Sequence, residues 1–205
     1  FREPGDRGVC VDEEGVRPRE QTIGNGGIYR GSELGFVFQT LRSKELIWPN
    51  VINNYLKGKA PERFDLLFWN ADATRMPAAN HSFYLRNCYL ENRLAAGTME
   101  VGGIRLDLSK VKVPVYNLAT REDHIAPAVS VLKGTGLFGG PVEFVVTGSG
   151  HIAGVINPPA RNKYQFWTGG KRPRTGADVG PTEMDKWIAS ATEHPGSWWP
   201  HWHAW

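Results

Sequence analysis

The chain has 205 residues, 40% of them hydrophobic and 22% charged, with a formal net charge of +3. That length supports one domain with a real core, and the ordinary composition argues against disorder. The lysines and arginines are scattered rather than gathered into a nucleic-acid-binding face, no run approaches the about 18 consecutive apolar residues of a transmembrane segment, and the start Phe1-Arg2-Glu3-Pro4-Gly5-Asp6 has no apolar signal-peptide core.

Residues 1–30 are polar and Gly-rich and read as loop or a weak edge strand. The absence of an initiator Met suggests a fragment or a processed product. Cys10 and Cys88 do not make a disulfide framework and fit a reducing cytoplasm. Two helical patterns follow. Leu34, Val37, Phe38 and Leu41 repeat at helical spacing with Ser32 as N-cap. Trp48, Val51, Ile52, Tyr55 and Leu56 do the same, with Pro49 in the first turn and Lys57-Gly58-Lys59-Ala60-Pro61 as the stop.

Three apolar runs then read as strands: 64–69, 113–118 and 142–146. The first is nearly continuous in apolar residues, as in a strand buried on both faces. Helices are expected over 81–94, 127–132 and 182–191, the last with Met184, Trp187, Ile188 and Ala191 on one stripe and Thr182 as cap. Strands alternating with helices predict an α/β fold with a mostly parallel sheet. Residues 168–181 are Gly-, Pro- and cation-rich and read as a surface loop. Of the eight tryptophans, Trp198, Trp199, Trp202 and Trp205 gather at the C-terminal end. An aromatic tail of this kind is expected to dock on its own core.

In an open parallel sheet, ligands meet the loops at the C-terminal ends of strands. Those loops offer Asn70-Ala71-Asp72 after the first run, Arg121-Glu122-Asp123-His124 after the second and Gly148-Ser149-Gly150-His151 after the third. An acid at one strand end and a histidine at the next form the back half of a nucleophile–acid–histidine triad. Gly148 and Gly150 flank the turn and are expected to give its backbone the freedom to present His151. On spacing alone a second reading stands beside this one: Asp123 caps the helix beginning near Pro127, and His151 is an ordinary loop histidine.

Several long strings carry a resemblance. They are Arg-Glu-Asp-His-Ile at 121–125 and Gly-Ser-Gly-His-Ile-Ala-Gly-Val-Ile-Asn-Pro-Pro at 148–159. Also matching are Leu-Leu-Phe-Trp-Asn-Ala-Asp at 66–72, Tyr-Leu-Arg-Asn at 84–87, Tyr-Leu-Glu-Asn at 89–92, Asn-Asn-Tyr-Leu at 53–56 and His-Pro-Gly-Ser-Trp-Trp-Pro at 194–200. With these strings the chain resembles the polyhydroxyalkanoate synthases, from about Gly31 to its last residue and more thinly before it.

The resemblance implies an α/β-hydrolase fold. Residues 1–63 would be a cap-like helical segment, and 64–205 the C-terminal part of the catalytic domain. It implies an acyltransferase that polymerises (R)-3-hydroxyacyl-CoA into polyester and releases coenzyme A, with a cysteine nucleophile. His151 would be its general base and Asp123 the group that orients it. His124, Asp72, Trp69 and Asn92 would line or support the site, Trp69 and Asn92 in a structural role. No cofactor is implied, the coenzyme A thioester being a substrate. The implied partners are the thioester, the growing polyester, a second copy of the chain and the surface of a cytoplasmic polyester granule. The strings at 84–87 and 150–159 look more like synthases acting on 3-hydroxybutyryl-CoA than like medium-chain ones.

The family's Gly-x-Cys-x-Gly elbow does not occur here. Cys10 sits in Gly8-Val9-Cys10-Val11-Asp12, where Asp12 replaces the second glycine, and Cys88 falls inside an expected helix. The isolated chain is therefore expected to be inactive and poorly stable, its three strands leaving one sheet edge unpaired. Three other readings stay open: an esterase or depolymerase on the same fold, a non-catalytic assembly module, and a zinc site at His201 and His203 with His194 and Glu193 nearby.

Overall fold

The computed structural model describes residues 11–24, 26–41, 43–61, 72–171 and 180–205. The chain divides into two compact units, Asp12–Leu85 and Arg86–Trp205. Among the described residues no helix is long and apolar enough to cross a membrane. The expected strand over 64–69, Trp69 and Cys10 lie outside the described residues.

The first unit opens with a helix where the sequence reads as loop. Helix α1 spans Glu13–Ile23. Asp12 caps it by accepting from the Gly15 amide at 2.6 Å, Glu13 and Glu14 complement the helix dipole, and Gly24 ends it at φ 65. Pro18 sits inside it and Val16 is its one buried side chain among the described residues, which is why no apolar stripe announces it. Strand β1, Ile28–Tyr29, pairs antiparallel with β2, Met76–Pro77. Between them run α2 (Gly31–Leu41), α3 (Ser43–Leu46), α4 (Trp48–Asn50) and a π-helical stretch, Val51–Leu56. Helix α2 starts at Gly31, so Ser32 lies in its first turn rather than capping it. Pro49 takes the first-turn position its fixed φ suits. Helix α5, Ala78–Tyr84, brings the buried His81 ring 4.1 Å from that of Tyr29.

A π-helical stretch, Leu85–Leu90, starts at the last residue of the first unit and, within the second, leads to α6, Arg93–Ala96, and a small hairpin of β3 (Glu100–Val101) and β4 (Ile104–Arg105). The sheet that follows is built from β5 (Val115–Thr120), β6 (Val142–Thr147), β7 (Gln165–Thr168) and β8 (Thr192–Pro195), in that spatial order. Strands β5 and β6 are parallel, in register from Val115 beside Val142 to Thr120 beside Thr147. Helix α7, Ala128–Thr135, supplies the crossover that a parallel pair requires. The other two pairings, β6 with β7 and β7 with β8, are antiparallel. Among the described residues the sheet is therefore mixed, not mostly parallel. No helix long enough for a crossover forms between β6 and β7. The short Pro159–Arg161 turn there lets the chain return in the opposite sense.

Helix α8, Pro181–Ser190, packs on this sheet. Its N-cap is Gly180, with Pro181 in the first turn, so Thr182 does not cap it. Ala119, Ala128, Val129, Leu132, Phe144, Val146, Trp167 and Trp187 form the core. The Trp187 and Phe144 rings meet edge to face at 4.9 Å. Gly170 exists as glycine because a Cβ there would fall inside the van der Waals shell of the Trp187 ring, which is fully buried and has nowhere to move. Gly170→Ala is expected to cost about 1–3 kcal/mol by overpacking. Gly134→Ala, inside α7 with open space around it, is expected to gain about 0.5–1 kcal/mol from helix entropy. The unfolding midpoints of the two variants should move in opposite directions.

Candidate functional site

Equal register places the ends of β5 and β6 side by side, and the loops leaving them are stitched together. The Arg121 amide donates to the Thr147 carbonyl at 2.8 Å, and the Glu122 amide to that of Ser149 at 3.1 Å. Asp123 lies in the first loop and His151 in the second. His151 Nδ1 and Asp123 Oδ2 are 2.7 Å apart.

The carboxylate is divided between two tasks. Its Oδ1 accepts the amides of Ile125 and Ala126, each at 2.8 Å. Its Oδ2 takes His151 and the Thr120 hydroxyl, the latter at 3.0 Å. Asp123 does not cap the following helix, whose N-cap is Pro127. Burial by itself raises the Asp123 carboxyl. The Ala126 amide, the His151 ring, the Ile125 amide and the Thr120 hydroxyl outweigh burial and hold it below its ordinary 3.8. At neutral pH the group is a carboxylate, which makes the N–H of His151 Nδ1 the proton that points at it. Nε2 is then the ring's basic nitrogen, and among the described residues it has no hydrogen-bond partner. The Asp123 side chain is 6% exposed and that of His151 44%, so a buried carboxylate holds an imidazole open to solvent.

The turn carrying His151 is unlike the expected one. Neither Gly148 nor Gly150 takes a positive φ; Ser149, between them, does, at 73°. A non-glycine residue in the left-handed region costs energy and is a common mark of a functional turn. Beyond His151 the backbone closes on itself, the Gly154 amide donating to the Gly150 carbonyl at 2.9 Å and the Ile156 amide to that of Ile152 at 2.8 Å. Gly154 rests against both strand ends. A Cβ there would lie 2.7 Å from the Gly148 oxygen, 2.7 Å from Thr120 Cγ2 and 2.9 Å from Thr147 Oγ1. Gly154→Ala is therefore expected to push the His151 turn off the sheet. It should lower stability by about 1–3 kcal/mol and break the His151–Asp123 hydrogen bond, seen as loss of the Nδ1–H proton resonance.

Relatives with curated names match the chain along its whole length. The poly(3-hydroxyalkanoate) polymerase subunit PhaC of Rhizobium meliloti (strain 1021) is 57% identical over 205 residues, which is 100% of this chain and 32% of that protein. The poly(3-hydroxyalkanoate) polymerase of Methylorubrum extorquens is 57% identical over 206 residues, covering 100% of this chain and 33% of that protein. The chain is homologous, from end to end, to a segment of the poly(3-hydroxyalkanoate) polymerases. The PhaC subunit of Cupriavidus necator is more distant, at 45% identity over 211 residues, again with 100% of this chain and 34% of that protein matched. The chain thus spans about a third of the length of the polymerases it matches. No protein-family model matches it.

Of the other residues singled out in the sequence, His124 is half-buried beside Asp123, and Asn92 is a left-handed residue, φ 48, that opens α6. Neither makes a hydrogen bond to Asp123 or His151. Asp72 is an exposed residue of the first unit, and Trp69 lies outside the described residues. Two of the histidines considered for zinc, and the glutamate beside them, have other partners. His194 Nε2 pairs with the Thr168 hydroxyl at 2.9 Å and His201 Nδ1 with the Tyr116 hydroxyl at 3.0 Å, while Glu193 accepts from the Trp167 indole at 3.0 Å.

Sequence reasoning missed Thr120, although a threonine three positions before an acid at a strand end is a local hydrogen-bonding pattern that could have marked it. It also missed Val155. Nothing in the sequence indicates that a main-chain carbonyl in the His151 turn meets the C-terminal tail.

Proposed function

We propose that this chain supplies the base and its orienting carboxylate to a polymerase acting on (R)-3-hydroxyacyl-CoA thioesters. The cysteine nucleophile would lie in the part of the polymerases' length that the chain does not span. The supporting observation is the 2.7 Å contact of Asp123 Oδ2 with His151 Nδ1, which leaves Nε2 as the basic nitrogen. In this reading Nε2 takes the proton of the cysteine thiol, and the thiolate attacks the thioester carbonyl. The carbon–sulfur bond to coenzyme A breaks, and coenzyme A leaves with the proton returned from His151. The 3-hydroxyl of a second unit then attacks the enzyme-bound thioester. His151 accepts that hydroxyl's proton, an ester bond forms and the cysteine sulfur is released. The Asp123 carboxylate stabilises the imidazolium present between the two transfers. No cofactor enters this sequence.

The same reading makes the sheet of the second unit part of an α/β-hydrolase fold, with 3-hydroxybutyryl-CoA as the substrate class and His124, Asp72, Trp69 and Asn92 as lining or supporting residues. It makes residues 1–63 a cap-like segment. The exposed apolar side chains of Trp48, Ile52, Tyr55 and Leu56 support a covering or dimer-forming role there. A cytoplasmic granule surface is the accompanying location.

The test measures coenzyme A thiol release from (R)-3-hydroxybutyryl-CoA. One arm uses this chain, the other a complete polymerase in which residues 1–205 replace the matching segment of the Rhizobium meliloti protein. The complete polymerase should release coenzyme A and form polymer, and the chain by itself should do neither. Release by the chain that disappears in both Cys10→Ala and His151→Ala would place the nucleophile within it and overturn the reading. Hydrolysis of preformed polyester without polymer synthesis would favour a depolymerase.

A further inference from the structure

The C-terminal tail reaches the His151 turn at one atom. Trp198 Nε1 donates to the Val155 carbonyl at 3.1 Å, and Trp199 Nε1 donates to the same oxygen at 3.0 Å. Adjacent residues of one chain thus place both indole N–H groups on a single acceptor, which among the described residues otherwise takes only the local Asn157 amide, at 3.1 Å, from within its own turn. Val155 belongs to the turn that carries His151, its amide donating to the Ile152 carbonyl at 3.1 Å.

The tail is itself held elsewhere on the sheet. The Gly196 amide donates to the Tyr164 carbonyl at 2.8 Å, continuing the β7–β8 pairing, and Ser197 Oγ accepts the Trp199 amide at 3.2 Å. Helix α9, Trp199–Ala204, then lies against β5. There Tyr116 stacks with Trp198 at 6.0 Å, meets Trp205 edge-on at 5.3 Å and bonds His201. β5 is also the strand whose end carries Asp123. The tail is therefore a brace, footed on the Asp123 strand and gripping the turn of the other partner.

Such a brace matters because His151 is little constrained by packing. Its ring is well exposed, and its one hydrogen bond among the described residues is to Asp123. Its aim is set by where the turn sits.

We propose that Trp198 and Trp199 are positioning residues that hold the Val155 carbonyl and so fix the direction in which His151 presents Nε2. Its effect on turnover rests on the polymerase reading above, but the geometry does not. A displacement of about 1 Å at a reacting group can cost on the order of 100-fold in rate, so a shape-preserving loss of both donors is expected to have a large catalytic effect and a small structural one.

The experiment replaces both tryptophans in the complete polymerase with 3-benzothienylalanine, which keeps ring size and removes only the N–H, and separately with phenylalanine (Trp198→Phe with Trp199→Phe). Two quantities are followed: the Nδ1–H resonance of His151 in selectively 15N-labelled protein, and kcat and KM for the thioester. The expected result with the benzothienyl rings is a broadened or lost Nδ1–H resonance and a kcat about 10- to 100-fold lower at unchanged KM. Each single replacement should have a smaller effect, since one indole still grips the carbonyl. An unchanged resonance and unchanged kcat in the double benzothienyl protein would overturn the proposal. Losses confined to the phenylalanine protein would overturn it too, since they would trace to ring volume and not to the N–H. Wild-type protein that shows the resonance but no turnover would sink the polymerase reading while leaving the brace to be judged on the resonance.

Discussion

His151→Ala in the complete polymerase is expected to lower the rate of coenzyme A release by about 10³- to 10⁴-fold, with the unfolding midpoint nearly unchanged. The two halves of this expectation have separate physical grounds. The rate falls because no other described side chain that accepts protons is held by Asp123 at the paired strand ends. His124, the adjacent imidazole, makes no bond to that carboxylate. Stability stays because the ring is exposed and lies outside the core. Asp123 would still have three of its four donors: the Thr120 hydroxyl and the amides of Ile125 and Ala126. The loss should therefore remain at about 1 kcal/mol or less. Thiol release and a denaturant curve on the same preparation check both halves. Turnover above a tenth of wild type would remove His151 from the proton path.

The parts of the site legible in the sequence were those set by local pattern. Apolar runs located β5 and β6 to within two residues, and the rule that chemistry sits at strand ends then led to Asp123 and His151. The Met184, Trp187 and Ile188 stripe located α8. What stayed hidden depended on distant partners or on a misleading local signal. Helix α1 was hidden by Pro18 and by a single buried side chain, Val16, although Asp12 and the two glutamates after it form an N-terminal signature. Strand β8 reads Thr-Glu-His-Pro, a poor strand by composition; it exists because Trp167 and Phe166 on β7 offer it an edge, and its Pro195 is tolerable at the rim of the sheet. Both antiparallel pairings escaped because the sequence reading places no strand beyond β6: β7 and β8 are four residues each, too short to show a period. The absence of helical period from 148 to 164 was the available warning. The turn at His151 was assigned to its glycines, yet the left-handed residue is Ser149. The glycine that the site does require is Gly154, where contact with the strand ends leaves no room for a Cβ.

Asp123→Asn is expected to reduce turnover by about 10⁴-fold, and it separates the two roles the sequence left open for this residue. Asparagine is as good as aspartate at accepting backbone amides. Its side-chain oxygen can keep the Ile125 and Ala126 amides that Asp123 Oδ1 holds at 2.8 Å each. If Asp123 served only that local loop, the variant would be nearly silent. Its NH₂ group, however, would face His151 Nδ1. Two donors cannot share that contact, so Nδ1 must lose its proton and accept. The ring's proton moves to Nε2, the nitrogen that has to be vacant to take a proton from the nucleophile. Orientation survives and basicity at the working atom does not.

The stability consequence has a definite sign. The folded Asp123 carboxyl titrates below its ordinary 3.8, so what its ionised form contributes is fully present above that value and is lost as pH falls through the depressed folded value. Wild type and variant should therefore differ in unfolding midpoint at pH 7 and converge as the solution is made more acid than 3.8. A variant that keeps a tenth or more of wild-type turnover, together with a midpoint gap that does not close in acid, would reduce Asp123 to a loop-forming residue and leave His151 without its partner.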